Sequence, residues 1–125
     1  MPYEIAYDME ADCMMCRMFC KIDTPLVKAF TSDVVSLMDK HQCTRILNDL
    51  READLSLSTF EIYDIPRLVT ETSLKNWFPK ALVVSKELDD YLFFESVSHN
   101  SGQNVKVFRD IDEAKSWLAE TKTTS

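Results

Sequence analysis

Three cysteines with a spacing suited to metal or redox chemistry lie near the start of the chain, at Cys13, Cys16 and Cys20. A C-x-x-C pair binds zinc or forms a redox couple when a turn brings its two sulfurs together. The segment DCMMCRMFCKI instead reads as an extended strand, in which Cys13 and Cys16 point to opposite faces. No second C-x-x-C and no histidine pair follows it. The pattern therefore favours buried thiols over a metal or redox centre.

Ser58 is the second group that could do chemistry. Thr59 follows it. Glu61 lies three residues after Ser58, which is the S-x-x-E spacing of a capping box at the start of a helix. A phosphate on Ser58 would be stabilised by the free N–H groups of the helix start, but Glu61 would repel it. The spacing favours a plain N-cap, worth about 1 kcal/mol, over a regulatory serine.

Polar residues are also expected where the strands end. Asp49 ends an apolar strand predicted over residues 44–50, on the side where open α/β sheets place ligands. No nucleophile with a base can be assembled there, since His41 and His99 fall at helix ends, where a cation complements the dipole. We therefore predict a protein that is not an enzyme, with this rim open to a ligand or partner. Four further residues are expected at the rim: Ser56, Ser85, Lys86 and Arg109.

Aromatic side chains are concentrated in a helix predicted over residues 87–98. Tyr91, Leu92 and Phe94 can share a core-facing arc, whereas Phe93 projects about 100° away from Leu92. Core filling is the first interpretation, because large rings dominate protein cores. The alternative is that Phe93 and its neighbours contact a protein partner, a second copy of the chain or a lipid-like ligand.

Composition excludes several classes of function. The 125 residues include 21 acidic and 14 basic side chains, a net charge of −7, which disfavours nucleic acids and anionic membrane surfaces. The single glycine, Gly102, excludes a glycine-rich phosphate loop or dinucleotide fingerprint. With two histidines, a multi-histidine metal centre is excluded as well. We predict no metal and no cofactor.

The acidic first twelve residues contain no apolar run, so we expect neither a signal peptide nor a membrane insertion. The protein is accordingly predicted to be cytoplasmic, with its cysteines present as thiols. Cys43 is expected close to Cys13 in a neighbouring strand, where a disulfide is not favoured.

The predicted elements alternate in the order β-β-α-β-α-β-α-β-α. Crossover helices imply a five-stranded, mostly parallel sheet, with the first strand antiparallel at one edge. Pro66 is expected to kink or break the helix that begins at Ser58. The whole chain, 1–125, is predicted to be one α/β domain, with residues 121–125 as a disordered tail. The strands are predicted over residues 2–7, 12–22, 44–50, 80–85 and 104–108.

The end of the chain, VKVFRDIDEAKSWLAE, carries a resemblance to a known family. An apolar strand ending on Phe108 is followed by the acidic cap Asp110, then by Glu-Ala and by Trp117 and Leu118. This pattern, within a likeness that covers about residues 3–120, resembles the STAS/SpoIIAA-like domains. The resemblance implies a β-α superhelix, a fold shared with the CRAL-TRIO lipid carriers.

The best-known members of that family are bacterial anti-sigma factor antagonists, which are switched by phosphorylation of a serine in an Asp-Ser-Ser-Gly context. The resemblance places Ser58 at that serine, with Leu57 in place of the aspartate and Phe60 in place of the glycine. It implies a regulatory protein-interaction module. The alternative is a carrier or sensor of a small apolar ligand, which requires an internal cavity of about 300 Å³. The candidate binding residues are Asp49, Ser56, Ser58, Thr59, Ser85 and Phe93.

Overall fold

A computed structural model describes residues 2–72 and 74–121. Of the tail predicted over residues 121–125, only Thr121 lies within the described residues, where it is the C-cap of the last helix. The strands are β1 (Tyr3–Asp8), β2 (Cys13–Met18), β3 (Lys21–Ile22), β4 (Ile46–Asp49), β5 (Asp54–Leu55), β6 (Lys80–Val83) and β7 (Val105–Phe108). The helices are α1 (Thr24–His41), α2 (Thr59–Thr70), α3 (Leu88–Asn100) and α4 (Ile111–Glu120).

The main sheet has five strands in the order β1-β2-β4-β6-β7. β1 is antiparallel to β2, and every other neighbouring pair is parallel. This confirms the predicted five-stranded, mostly parallel sheet with an antiparallel first strand at its edge. All residues of the central strands β4 and β6 are buried, as is usual where helices cover both faces of a parallel sheet.

The strand predicted over residues 12–22 is wrong in its length, because two separate strands occupy that stretch. β2 can pair with β1 only as far as β1 extends. The last hydrogen bond between them runs from the Phe19 N–H to the Pro2 carbonyl at 2.9 Å, because β1 begins just after Pro2. The Cys20 carbonyl then accepts the Asp54 N–H at 3.0 Å, and β3 pairs in parallel with β5 in a second, two-stranded sheet. β5 was not predicted, because two paired residues are too short to show a periodicity.

Of the kink or break expected at Pro66, the break does not occur. α2 continues through Pro66 to Thr70, and the proline is buried beside Ile62 and Ile65 on the inner face of the helix. A proline removes one backbone hydrogen bond of a helix. Here the buried ring adds apolar contact in exchange, and the Thr70 hydroxyl donates to the Pro66 carbonyl at 2.7 Å.

The two faces of the sheet form two apolar clusters. The larger one joins the sheet to α1, α2 and α3 and includes Cys16 together with Met14 and Met18. The smaller one packs Ala114 and other α4 residues against the opposite face and includes Cys13. The predicted placement of Cys13 and Cys16 on opposite faces is therefore confirmed.

The free edge of the sheet at β7 is covered by side chains from α3. In a parallel pair, every second residue of a strand bonds to its neighbour. The backbone groups of Asn104 and Phe108 bond to β6, so the N–H and C=O groups of Val105 and Val107 point away from the sheet. Glu95 Oε2 accepts the Val107 N–H at 2.5 Å, and His99 Nε2 lies 2.6 Å from the Val105 carbonyl oxygen. Two side chains one helical turn apart thereby occupy the groups that an added strand would use.

We predict that Glu95→Ala uncovers this edge and causes self-association, because the Val107 N–H becomes free to pair with another chain. Sedimentation velocity of the variant over a concentration series measures the effect. Glu120→Ala, which removes the same charge from an exposed position of α4, is expected to stay as monodisperse as the native chain. Equal association of the two variants would show that charge, and not the edge, is responsible.

Candidate functional site

The rim residue Asp49 is buried and paired with arginines. Its carboxylate accepts from Arg51 Nε at 2.9 Å and from Arg51 Nη2 at 2.8 Å, and Arg17 Nε lies 4.0 Å away. The Arg51 guanidinium lowers the pKa of Asp49, and the partial burial of the carboxyl opposes this shift only in part. Because both oxygens are occupied, Asp49 organises the loop after β4 and is not placed to act as a general base.

The other rim residues are only partly brought together. Ser85 donates its hydroxyl to the Arg51 carbonyl at 3.0 Å and so belongs to the Asp49 cluster. Ser56 is exposed after β5 and donates its N–H to the Ile22 carbonyl at 2.9 Å. Two further residues predicted there are exposed: Lys86, which pairs with Asp54, and Arg109, which follows β7.

Ser58 forms the predicted capping box. Its hydroxyl accepts the Glu61 N–H at 3.2 Å, and Glu61 Oε1 accepts the Ser58 N–H at 3.0 Å. Thr24, the first residue of α1, also donates to Glu61, at 3.2 Å. The hydrogen bonds that the Glu61 carboxylate accepts from Ser58 and Thr24, led by the one from the Ser58 N–H, lower the pKa of Glu61. The carboxylate is therefore ionised at neutral pH, and it ties the start of α2 to the start of α1.

Two exposed aromatic rings follow this cap. Phe60 is 77% exposed and Tyr63 is 66% exposed, while Ile62 and Ile65 on the other face of α2 are buried. Phe60 was expected only as a replacement for the family's glycine, and Tyr63 was not predicted as a surface residue. Their i, i+3 spacing opposite a buried pair was the signal that could have identified them.

The aromatic helix α3 agrees with the prediction in part. Tyr91 is buried and Phe93 is 37% exposed, as expected for a ring off the core-facing arc. Leu92 was expected in the core but is 42% exposed, so that prediction is wrong. The buried stripe of α3 runs through Tyr91 and Ser98, and Leu92 lies about 100° beyond it.

A cavity of about 130 Å³ lies between the sheet and the helices that cover its larger cluster. Its walls come from the helices α1, α2 and α3 and the strands β2, β3, β4, β5 and β6 and are mainly apolar, with Phe30, Ile62 and Phe94 among them. The polar wall residues were not predicted, although two of them, Asn48 and Lys80, lie within otherwise apolar strands, which was a usable signal. Four polar side chains line the cavity: Thr31, Asn48, Lys80 and Tyr91.

Lys80 is one of these wall residues, and its amine is surrounded by oxygens of residues that do not line the cavity. Lys80 Nζ lies 2.8 Å from the Phe78 carbonyl oxygen, 3.0 Å from Gln103 Oε1, and 3.3 and 3.4 Å from the carbonyl oxygens of Lys75 and Asn76. Burial lowers the pKa of Lys80 to about 8. The amine is thus fully engaged with oxygens of the protein.

Two other polar groups of the wall have no such partners. Within the part of the chain that the structure describes, Asn48 Oδ1 and Tyr91 Oη are buried and make no hydrogen bond. Burial also raises the pKa of Tyr91, so its hydroxyl is neutral and can both donate and accept. Both atoms have almost no accessible surface, so they lie within the wall and not at the surface of the cavity.

The cysteines and histidines do not converge on a metal site. Among the described residues, no three His, Cys, Asp or Glu side chains are grouped so as to hold an ion. All four cysteines are free, and burial raises the pKa of Cys13 to about 11. Cys43 donates to the Asp12 carbonyl at 3.7 Å and so lies near Cys13 as predicted, but it belongs to the connection before β4 and not to a strand. The His41 ring stacks on Tyr7 with centroids 4.6 Å apart.

Comparisons with known proteins identify the fold. No known family model and no curated protein matches the chain. A crystal structure of an uncharacterised protein of the DUF3478 family from Shewanella loihica, described as having a SpoIIAA-like fold, is similar with a TM-score of 0.60. The two chains are 19% identical, and the match covers 93% of each. The chain therefore has a SpoIIAA-like fold. None of its helices within the described residues is long and apolar enough to span a membrane.

The shifted pKa of Lys80 predicts a dependence of stability on pH. Its pKa is about 8 in the folded chain and 10.5 when unperturbed, so the unfolded state binds more protons between these values and stability rises with pH. Relative to Lys80→Met, the native chain should gain about 2 kcal/mol in unfolding free energy from about pH 7.5 to about pH 9.5.

Chemical denaturation at several pH values measures this difference. Lys40→Met is the matched control, because Lys40 is exposed on α1, and its difference from the native chain should not change with pH. A Lys80→Met difference that is equally flat would contradict the assignment.

Proposed function

We propose that this SpoIIAA-like chain is a non-enzymatic, cytoplasmic module that regulates a partner protein by direct contact through the start of α2. The observation that carries the proposal is the exposure of Phe60 and Tyr63 beside the Ser58 cap. Aromatic rings supply large contact area at protein interfaces and are frequent among the residues that dominate binding energy.

The position of these rings supports the proposal because it is held rigidly. The capping box and the Thr24–Glu61 hydrogen bond fix the first turn of α2, and Ile62 and Ile65 anchor its inner face. A helical turn that is fixed before binding loses less entropy when a partner covers it.

The charges around the rings indicate the kind of partner. Arg67, one turn beyond Tyr63, is paired with Asp64 at 2.7 Å and with Glu71 at 2.6 Å, so one cation faces two carboxylates and the surface is aromatic and weakly acidic. It suits a partner with an apolar groove. Asp49 and Ser85 shape the adjacent loop through their hydrogen bonds to Arg51. The proposed contact surface also includes the other predicted binding residues: Ser56, Thr59 and Phe93.

Ser58 is the residue at which phosphorylation would change this surface. A phosphate there would lie against the ionised Glu61 carboxylate, which accepts the Ser58 N–H at 3.0 Å. Repulsion between the two anions would open the capping box and move the first turn of α2.

We predict that Phe60→Ser with Tyr63→Ser weakens binding of the native partner by tenfold or more. Co-purification from the source cells, followed by titration of the recovered protein, measures this. Met9→Ser removes an apolar side chain that is 81% exposed in the β1–β2 turn, and it should leave binding unchanged. A partner, or a second copy of the chain, retained equally by both variants would exclude α2 as the contact.

For the switch, we predict that Ser58→Asp reduces partner binding while Ser58→Asn does not. Both substitutions keep a good N-cap residue, and only the aspartate adds charge beside Glu61. Equal affinities in the same titration would rule out control by phosphorylation at this position.

A second function, sensing of a small molecule, is favoured by the cavity under α3. At about 130 Å³ it is less than half the size expected for a carrier of lipid-like ligands, and too small for a long acyl chain. Its mainly apolar walls suit a much smaller ligand that is itself largely apolar.

A further inference from the structure

We propose that β1 is the edge through which two copies of this chain pair, with the two β1 strands antiparallel and Ile5 opposite the partner's Ile5. The sheets of the two copies then continue into one another across a two-fold axis. This contact involves β1 and α1, and it is therefore separate from the one proposed through the rings of α2.

β1 has an open side because only half of its backbone groups bond to β2. The Phe19 N–H donates to the Pro2 carbonyl at 2.9 Å, and the residues of an antiparallel strand bond to one neighbour alternately. Every second residue counted from Pro2 therefore bonds to β2, and the residues between them direct their N–H and C=O groups away from it. These outward residues are Tyr3, Ile5 and Tyr7.

The two edges of the sheet differ in how they are covered. At β7, side chains of α3 occupy the outward backbone groups. At β1, the described residues show no hydrogen bond from a side chain or a loop to the outward backbone groups. The contacts of α1 are with side chains of β1: Asp33 accepts the Tyr3 hydroxyl, and the His41 ring stacks on Tyr7. An edge of six residues left in this way is a template for another strand.

The charges on β1 select the register of the pair. With Ile5 opposite the partner's Ile5, Glu4 lies opposite the partner's Ala6. Asp8 then lies opposite the partner's Pro2. A shift by two residues in either direction would set Glu4 against the partner's Glu4 or the partner's Asp8, and like charges directly opposite destabilise a sheet. The centred register avoids both contacts and uses every outward backbone group of β1.

α1 adds a second complementary contact. Tyr3 lies opposite the partner's Tyr7 in this register, so the α1 residues that contact these two rings come to the same level along the edge. Asp33 is thus level with the basic last turn of the other α1, which contains the partner's Lys40 and the partner's His41. All three side chains are exposed in the single chain. Opposite charges aligned in this way favour the antiparallel arrangement.

The pairing closes at two copies. Each β1 is used up by an identical strand, while the β7 edge of each copy stays covered by Glu95 and His99. A self-complementary contact of this kind gives a dimer and not a fibre. Since two strands of six residues form a small interface, we expect a dissociation constant in the micromolar range.

Charge substitutions at Ala6 test the pairing, because this exposed residue lies opposite the partner's Glu4. Ala6→Glu places like charges opposite each other at two symmetric positions of the dimer, and Ala6→Lys places opposite charges there. Sedimentation equilibrium over a concentration series should show a dimer of the native chain. Its dissociation constant should rise about fivefold in Ala6→Glu and fall about fivefold in Ala6→Lys.

Ala119→Glu and Ala119→Lys are the matched controls, because Ala119 is exposed on α4 and these substitutions change the net charge equally. Both should leave the dissociation constant of the dimer nearly unchanged. Glu4→Lys combined with Ala6→Glu should restore the dimer that Ala6→Glu weakens, since the facing charges are opposite again.

Amide hydrogen exchange measured at several concentrations reports on the backbone. The amides of Tyr3, Ile5 and Tyr7 should become more protected as the concentration rises, because they enter hydrogen bonds only in the dimer. The amides of Glu4 and Ala6 bond to β2 and should be protected at every concentration.

Three outcomes would overturn the inference. The first is a native chain that stays monomeric up to millimolar concentration. The second is a dimer that responds to the substitutions at Ala6 no more than to those at Ala119, because the contact would then lie elsewhere. The third is equal weakening by Ala6→Glu and Ala6→Lys, which would set Ala6 opposite the partner's Ala6 and exclude the register. None of them bears on the contact proposed through α2, which its own variants test.

Discussion

The parallel pairing of β4 with β2 on one side and β6 on the other is the interaction on which the rest of the structure depends. Ile46 to Asp49 are all buried, so both faces of this strand must be covered by helices. The same four residues supply both regions of interest. Asn48 enters the cavity wall, and Asp49 follows it to organise the rim with Arg51. A shift of β4 by one residue would exchange these two environments.

Much of the main sheet could be predicted because its signals are local. Caps at Asp23, Ser58 and Asp110 mark helix starts, and apolar runs mark the buried strands. The pairing of β3 with β5 could not be predicted, because strands of two residues have no periodicity of their own. The exposure of Leu92 depends on the rotation of α3 about its axis. Successive residues of a helix are about 100° apart, so Tyr91 is buried while its neighbour Leu92 is exposed.

The candidate sites were less accessible from the sequence. The Ser58 cap is a short-range pattern and was predicted, whereas the cavity depends on how three helices and five strands meet. A polar residue in an apolar strand can be seen in a sequence. Whether such a residue finds hydrogen-bond partners is decided only by tertiary packing. Lys80 finds them in backbone carbonyls and in Gln103, whereas Asn48 Oδ1 does not.

Native-state amide hydrogen exchange is the most direct measurement of the central role of β4. If β4 and β6 form the frame, their amides should exchange most slowly, and only through global unfolding, while the short β3–β5 pair opens locally at lower free energy. Faster exchange in β4 than in the edge strand β1 would contradict the account, because the cavity wall and the rim would then have no common rigid support.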